Sequence, residues 1–216
     1  MLAHLCLALV IQTIPLRMVK SIEKEYYIMN IFYLHEDPTQ CAQWHIDKHV
    51  VKMPTEYAQL LSTAHRMLDG KLTHITRTDA LGRSRKVKRW LLDDERHDNI
   101  YQAGHYNHPS AVWVRQSKSN YMFLFQLYTA VLAEHRVRYS WDKKPHGASK
   151  PWLWLMRAPK NIPDIGRTPM PQAMTLYPQC IVDGDPIQGY RNYYNVAKKN
   201  FASWKVREVP HWFSPA

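Results

Sequence analysis

Glycine is scarce in this 216-residue chain, at seven residues, and cysteine is scarcer, at three. So little glycine disfavours glycine-rich phosphate loops and many-turned β architectures, which depend on backbone conformations other residues resist. Cys6, Cys41 and Cys180 are odd in number, scattered, and without a C-x-x-C pair. Neither a disulfide framework nor a cysteine zinc site fits them, whereas a reducing cytoplasm does. No GxGxxG, Walker, GxSxG or HExxH pattern occurs, so the chemistries those motifs carry have no support here. Long apolar runs are missing too. Leu2 to Ile14 is apolar over about 13 residues, short of the roughly 20 that cross a bilayer. It also offers only His4 where a secretory signal needs a basic start. No membrane association is expected.

What is present is aromatic and basic. Eight Trp and 13 Tyr, within a hydrophobic fraction of 45%, indicate a folded chain rather than a disordered one. A formal charge of +11 points to a polyanionic partner. Nucleic acid is the leading candidate, DNA with RNA not excluded, ahead of an acidic membrane surface and of a merely basic protein without a polyanionic partner.

The stretch from Gln40 to Gly70 organises the rest. At 100° per residue, Ala42, Ile46, Val50, Met53, Tyr57, Leu60, Ala64 and Leu68 share one face, which predicts an amphipathic helix. Asp37-Pro38-Thr39 supplies its start and Gly70 its stop. Pro54 predicts a kink or break between Met53 and Thr55. Along one shoulder run His45, His49, Lys52, Glu56, Gln59 and Thr63, half in the core, where pKa values shift and chemistry is often placed. Lys52 on a desolvated shoulder is a candidate amine nucleophile, with Glu56, His49 and His45 as candidate acid–base groups. The plainer alternative is a helix ion pair between Lys52 and Glu56. His45 and His49 also have the spacing of two metal ligands on a helix, with His105, His108 or Asp47 as a third. Twelve histidines make such spacings common, and neither a metal nor another cofactor is expected.

Residues 1–28 read as an extension or a start-site artefact, with the domain beginning at Met29. Ile31 to Leu34 is expected to form one short strand. Lys71 to Arg89 carries Arg83, Arg85, Lys86, Lys88 and Arg89 against a single acid, Asp79. It reads as a mobile basic loop or hairpin that follows a phosphate backbone, or otherwise as a solvated surface loop. Asn107-His108-Pro109 opens a second major helix. His108 and Arg115 are candidate nucleic-acid contacts there, Arg115 as a phosphate fork or a surface ion-pair partner. Tyr121 to Ala133 is apolar on nearly every side and predicts a buried helix. Lys143 to Gln179 is a proline-punctuated connector that Trp152 and Trp154 would anchor. Asp185-Pro186 starts a last helix, to about residue 205. There Tyr190, Tyr194, Ala197, Phe201 and Trp204 share a face, beside Arg191, Lys198, Lys199 and Lys205. Such a stripe either packs the core or stacks bases beside phosphates. The expected fold is mainly α, a single-domain helical bundle with a short N-terminal strand and a proline-rich connector.

The blocks MNIFYLHEDP, HIDKHVVKMPTEYAQLLSTAH, NHPSAVWVR and YRNYY…FASWK…VPHWF resemble an uncharacterised family of tailed-bacteriophage proteins, over nearly everything from Met29 on. The chain is more faintly similar to the phage pyrimidine-dimer DNA glycosylases, small helical proteins that excise a damaged base and then nick the abasic strand. The shared order is a short strand, a helix with the His45-to-Pro54 spacing, a His-led helix bearing an arginine, and an aromatic-basic tail like Tyr190 to Lys199. That resemblance implies a DNA glycosylase or abasic-site lyase acting on damaged or modified DNA in a host cytoplasm, without a cofactor. The family attacks the sugar with a free N-terminal amine. Here residues 1–28 precede Met29, and Lys52 stands at the family's helix glutamate, with Glu56 one turn later. Either that chemistry is lost, or Lys52 supplies the amine and Glu56 the carboxylate. The alternatives are a metal-dependent nuclease or base-modifying enzyme using His45 and His49, and a non-catalytic nucleic-acid binder.

Overall fold

A computed structural model describes residues 29–139 and 144–214. The expected extension at residues 1–28 lies outside the described residues. The described chain is mainly α-helical, with one two-stranded antiparallel sheet. Helix α1 (Pro38–Trp44) starts where the Asp37 carboxylate accepts the Gln40 N–H at 2.7 Å. Helix α2 (Asp47–Asp69) ends at Gly70, where an added Cβ would lie 2.5 Å from the Arg66 carbonyl oxygen. Strands β1 (Lys71–Thr78) and β2 (Ser84–Leu91) follow, then α3 (Arg96–Asn99), α4 (Pro109–Gln116), α5 (Lys118–Tyr139), α6 (Trp152–Leu155) and α7 (Pro186–Tyr193). The core forms where α2 packs on α4 and α5, and α1 on α5. As its sequence implies, α5 buries most of its circumference, including Tyr121, Phe123, Leu124, Phe125, Leu127, Tyr128 and Val131. Among the described residues, no helix is long and apolar enough to cross a membrane.

The long amphipathic stretch does break, but not at proline. Helix α2 runs through Pro54 without interruption, and the break falls at His45–Ile46. Near the missing proline N–H, the Val51 carbonyl accepts His146 Nε2 at 3.1 Å. At the break, the buried Arg138 guanidinium donates to the Gln43 carbonyl at 2.8 Å and the His45 carbonyl at 3.0 Å. Arg138 thus satisfies carbonyls that end α1, and it also binds Glu134 and Asp47. Arg207 closes the network on Glu134 with two donors, at 2.9 and 2.8 Å. A distant arginine sets the break, which is why the helical period of α2 gives no sign of it.

Ile31 to Leu34 is extended and buried, yet it is not a strand. Side chains rather than a neighbouring strand serve its backbone: Tyr57 Oη accepts the Phe32 N–H, Cys41 Sγ accepts the Leu34 N–H, and Arg191 donates to the Leu34 carbonyl. A short continuous apolar run therefore threads the helical core as a single segment. The second helix is split at Ser117 into α4 and α5, with the Lys118 N–H bonded to the Pro163 carbonyl. The connector behaves as expected, with short helical turns at Gly147–Ser149, Trp152–Leu155 and Pro178–Cys180. Asp185 caps α7, accepting the Gln188 N–H at 2.9 Å. Beyond Tyr193 the chain continues as a π turn, Tyr194–Lys198, and a 3-10 turn, Lys199–Phe201.

Candidate functional site

The shoulder of α2 meets the Phe32 segment and the C-terminal helix in a layer of rings. His49 stacks on Phe32 with centroids 4.0 Å apart, and its Nδ1 lies 2.6 Å from Tyr194 Oη. His45 sits deeper, fully buried at the helix break. Its Nδ1–H donates to the Cys41 carbonyl at 2.7 Å, and its Nε2 accepts from Tyr57 Oη at 2.9 Å. Both nitrogens are thereby committed, and burial holds His45 neutral by lowering its pKa to about 4. Burial also holds His49 well below the ordinary histidine value, assisted by the neighbouring His45 ring and the Lys198 and Lys52 charges. His45 is a structural bolt beneath the layer, and His49 is part of its floor. With His45 so engaged, the two histidines do not offer a ligand pair. Among the described residues no group of three or more His, Cys, Asp or Glu is placed to hold a metal ion.

One and two turns along α2 stand Lys52 and Glu56, joined at 2.8 Å. The ion pair expected at this spacing is present, but its two members sit differently. The Lys52 side chain is 42% exposed, so the desolvated lysine expected at this position is not found. Glu56 is buried, and its Oε2 has no hydrogen-bond partner. Burial pushes the Glu56 carboxyl up from its ordinary value, while Lys52, the Asn30 N–H and His105 pull against that rise. His105 comes from the loop before α4 and is held at φ +48°, an uncommon conformation for a residue with a Cβ. His108 and Arg115 maintain that loop. His108 Nδ1 accepts the Ser110 N–H at 3.2 Å as the cap of α4, and Arg115 donates to the Tyr106 carbonyl at 2.6 Å. Both are half-buried loop supports, not outward phosphate forks.

The desolvated lysine is Lys198. It lies in the π turn with its ammonium 4.6 Å from the Tyr193 ring centroid and 5.9 Å from that of Phe201. Burial, followed by the Lys52 charge, lowers its pKa to about 8. Sequence reasoning placed Lys198 among phosphate contacts. The one signal for its burial was its position beside the aromatic face of the last helix. Lys199 is half-buried next to it, and Lys205 is exposed, 5.3 Å from the Tyr139 ring. Arg191 is taken up by structure, its guanidinium against the Trp44 and Trp212 rings and its Nε donating to the Leu34 carbonyl.

The basic stretch is a hairpin. Its register pairs Lys86 with Thr76, Lys88 with His74, Arg85 with Arg77 and Arg89 with Thr73. Side chains alternate across a strand, so Lys86 and Lys88 share one face and Arg85 and Arg89 the other. Arg83 lies at the turn, bound to Asp79 at 2.8 Å, and Gly82 at φ +75° makes the reversal. Most of the hairpin is exposed, with Thr73, Val87 and Arg89 half-buried and Trp90 buried at its base. The base is clamped by buried Arg66, which donates to the Trp90, His97, Ile100 and Tyr101 carbonyls. A two-stranded ribbon with cations on both faces has the dimensions to lie in a nucleic-acid groove or along a phosphate backbone.

An open cleft of about 880 Å³ lies elsewhere, among Tyr33, Arg167 and Arg191, and includes neither lysine of the cluster. Compared with protein-family models, with curated proteins and with solved structures, the chain matches none of them.

Proposed function

We propose that this chain is a DNA-processing enzyme of the glycosylase or abasic-site lyase class, built as one helical domain from Met29 onward. The observation that carries the reading is Glu56: a buried carboxyl with one unpartnered oxygen, paired to Lys52, whose charge also acts on the half-buried Lys198. A raised carboxyl pKa brings the group nearer to neutral pH, where it can both take and give a proton. A lysine amine beside it can attack a sugar carbon and form an imine. Half-buried Tyr193, backed by the buried stack of Phe32 and His49, supplies an aromatic edge against which an extruded base or sugar can rest. The hairpin, carrying Arg83, Arg85, Lys86, Lys88 and Arg89, supplies sequence-independent affinity for the backbone.

The test is to incubate the full chain with labelled undamaged, uracil-containing, abasic and ultraviolet-irradiated duplexes, with EDTA or with Mg²⁺. Strand cleavage of abasic or damaged duplex that survives EDTA is the expected result. Salt-sensitive binding without cleavage under any condition would reduce the protein to a nucleic-acid binder, and cleavage only with Mg²⁺ would move it to a different reaction class.

A further inference from the structure

The two lysines above His49 differ in everything that decides whether an amine is nucleophilic. Lys52 is exposed and its ammonium is held 2.8 Å from a carboxylate. Lys198 is half-buried against the rings of Tyr193 and Phe201, and among the described residues no carboxylate pairs with it. The charge that acts on it comes from α2 and is basic, Lys52, and it opposes a second positive charge. Lys48, also on α2, contacts the same Phe201 ring from 4.4 Å. The backbone carrying Lys198 is a π turn, a local widening of the helix that is frequent at functional sites.

We propose that Lys198 is the reactive amine of this site, the group that condenses with a sugar aldehyde, and that Lys52 and Glu56 form the acid–base pair beside it. The assignment to a sugar rests on the lyase reading above. The neutral Lys198 amine adds to the C1′ aldehyde carbon of an opened abasic deoxyribose, forming the N–C bond. Proton transfer from nitrogen to the new hydroxyl, with Lys52 or Glu56 as carrier, lets that oxygen leave as water and gives the imine. A C2′ proton then passes to the Glu56 carboxylate, the C3′–O bond breaks, and the 3′ phosphate departs with the electron pair. Water hydrolyses the imine, returning the Lys198 amine and an unsaturated aldehyde on the 5′ fragment. No oxidant or reductant enters the cycle.

Two labelling arms on the full chain decide it. In the first, pyridoxal 5′-phosphate supplies the aldehyde at pH 6–10, borohydride fixes the imine, and peptide mapping locates it. Label concentrated on Lys198, with a midpoint at pH about 8, is expected. In Lys52→Gln that midpoint should rise, because one repelling charge is gone. Label centred on Lys52, or spread over exposed lysines, overturns the proposal. In the second arm an abasic duplex replaces the small aldehyde. The cross-link should fall by roughly two orders of magnitude in Lys198→Arg and should still form, more slowly, in Lys52→Gln. A cross-link unaffected by Lys198→Arg overturns the assignment of the amine but keeps the lyase reading. Lys198 labelled by pyridoxal phosphate with no cross-link to abasic DNA overturns the lyase reading and keeps the amine. The thermal unfolding transition of Lys198→Arg, if unchanged, separates loss of the amine from loss of the fold.

Discussion

The β1–β2 hairpin and the junction of α1, α2 and α5 are both rich in arginine, and they use it in opposite ways. On the hairpin Arg77 and Arg85 face each other across the strands, exposed and alike in charge. Such a pair weakens the free hairpin and gains when an anion lies between its members. At the junction Arg138 is wholly buried, yet it donates to Glu134, Asp47 and two backbone carbonyls. Its charge is compensated inside the protein and none of it is available to a ligand. Lys198 lies between these extremes, half-buried against the Tyr193 and Phe201 rings and with no carboxylate paired to it among the described residues. Net charge alone would treat all three as equivalent. Burial and partners separate them into an exposed cationic surface, a structural tie and a half-buried amine.

Four substitutions or conditions sharpen that comparison. The largest effect is expected at Glu56. Glu56→Gln keeps the shape of the buried side chain but removes its proton chemistry. Cleavage of abasic duplex should fall by about 10²- to 10⁴-fold, with duplex affinity little changed. Equal loss of binding and cleavage would make Glu56 a structural residue. Next, Arg138→Ala leaves Glu134 and Asp47 without their buried partner and uncaps α1, and should cost on the order of 3–5 kcal/mol in urea unfolding. Arg85→Ala on the hairpin should leave the same unfolding curve nearly unmoved, and a similar loss at both sites would erase the distinction.

The third is pH. His45 and His65 are buried with pKa values lowered to about 4 from the ordinary 6.5. His65 is kept neutral by burial and by Arg96, which donates to its Nδ1 at 2.7 Å. The unfolded chain binds protons on these rings at a higher pH than the folded one. Their neutral folded state is therefore fully compatible with stability above about pH 6.5, and stability falls as pH drops from there toward 4. Each ring contributes a loss of about 2 kcal/mol by pH 5, read as a lower urea midpoint than at pH 7. A flat profile over that interval would mean that the rings are not sealed. The smallest effect on the fold, though a clear one on binding, belongs to the hairpin. Replacing Arg85, Lys86, Lys88 and Arg89 together with alanine should reduce the slope of log affinity against log salt by roughly 3 to 4. An unaltered slope would remove the hairpin from the DNA path.

Much of this arrangement is legible along the chain. The buried face of α2, the buried circumference of α5 and the capped start of α7 follow from residue spacing and from Asp-Pro pairs, which act within a few residues of themselves. Lys52 and Glu56 were brought together because four positions make one helical turn. Lys198 was legible only as a lysine on the flank of an aromatic face. Its burial depends on the π turn and on how the last helix lies against Phe32 and His49, contacts made across more than a hundred residues. The same holds for Ile31 to Leu34, whose compact apolar run reads as a strand but whose backbone partners are Tyr57, Cys41 and Arg191 side chains.

The sequence by itself determined the helical periods, the punctuation of the connector, the basic arm and the charge balance, because local sterics, hydrogen-bond competition and net charge need no distant partner. Only the tertiary structure decided where the first long helix breaks, which lysine loses its water, and which histidines are sealed. Each of those depends on desolvation, and on an Arg138, Tyr194 or Phe201 that reaches the site only after the chain has folded.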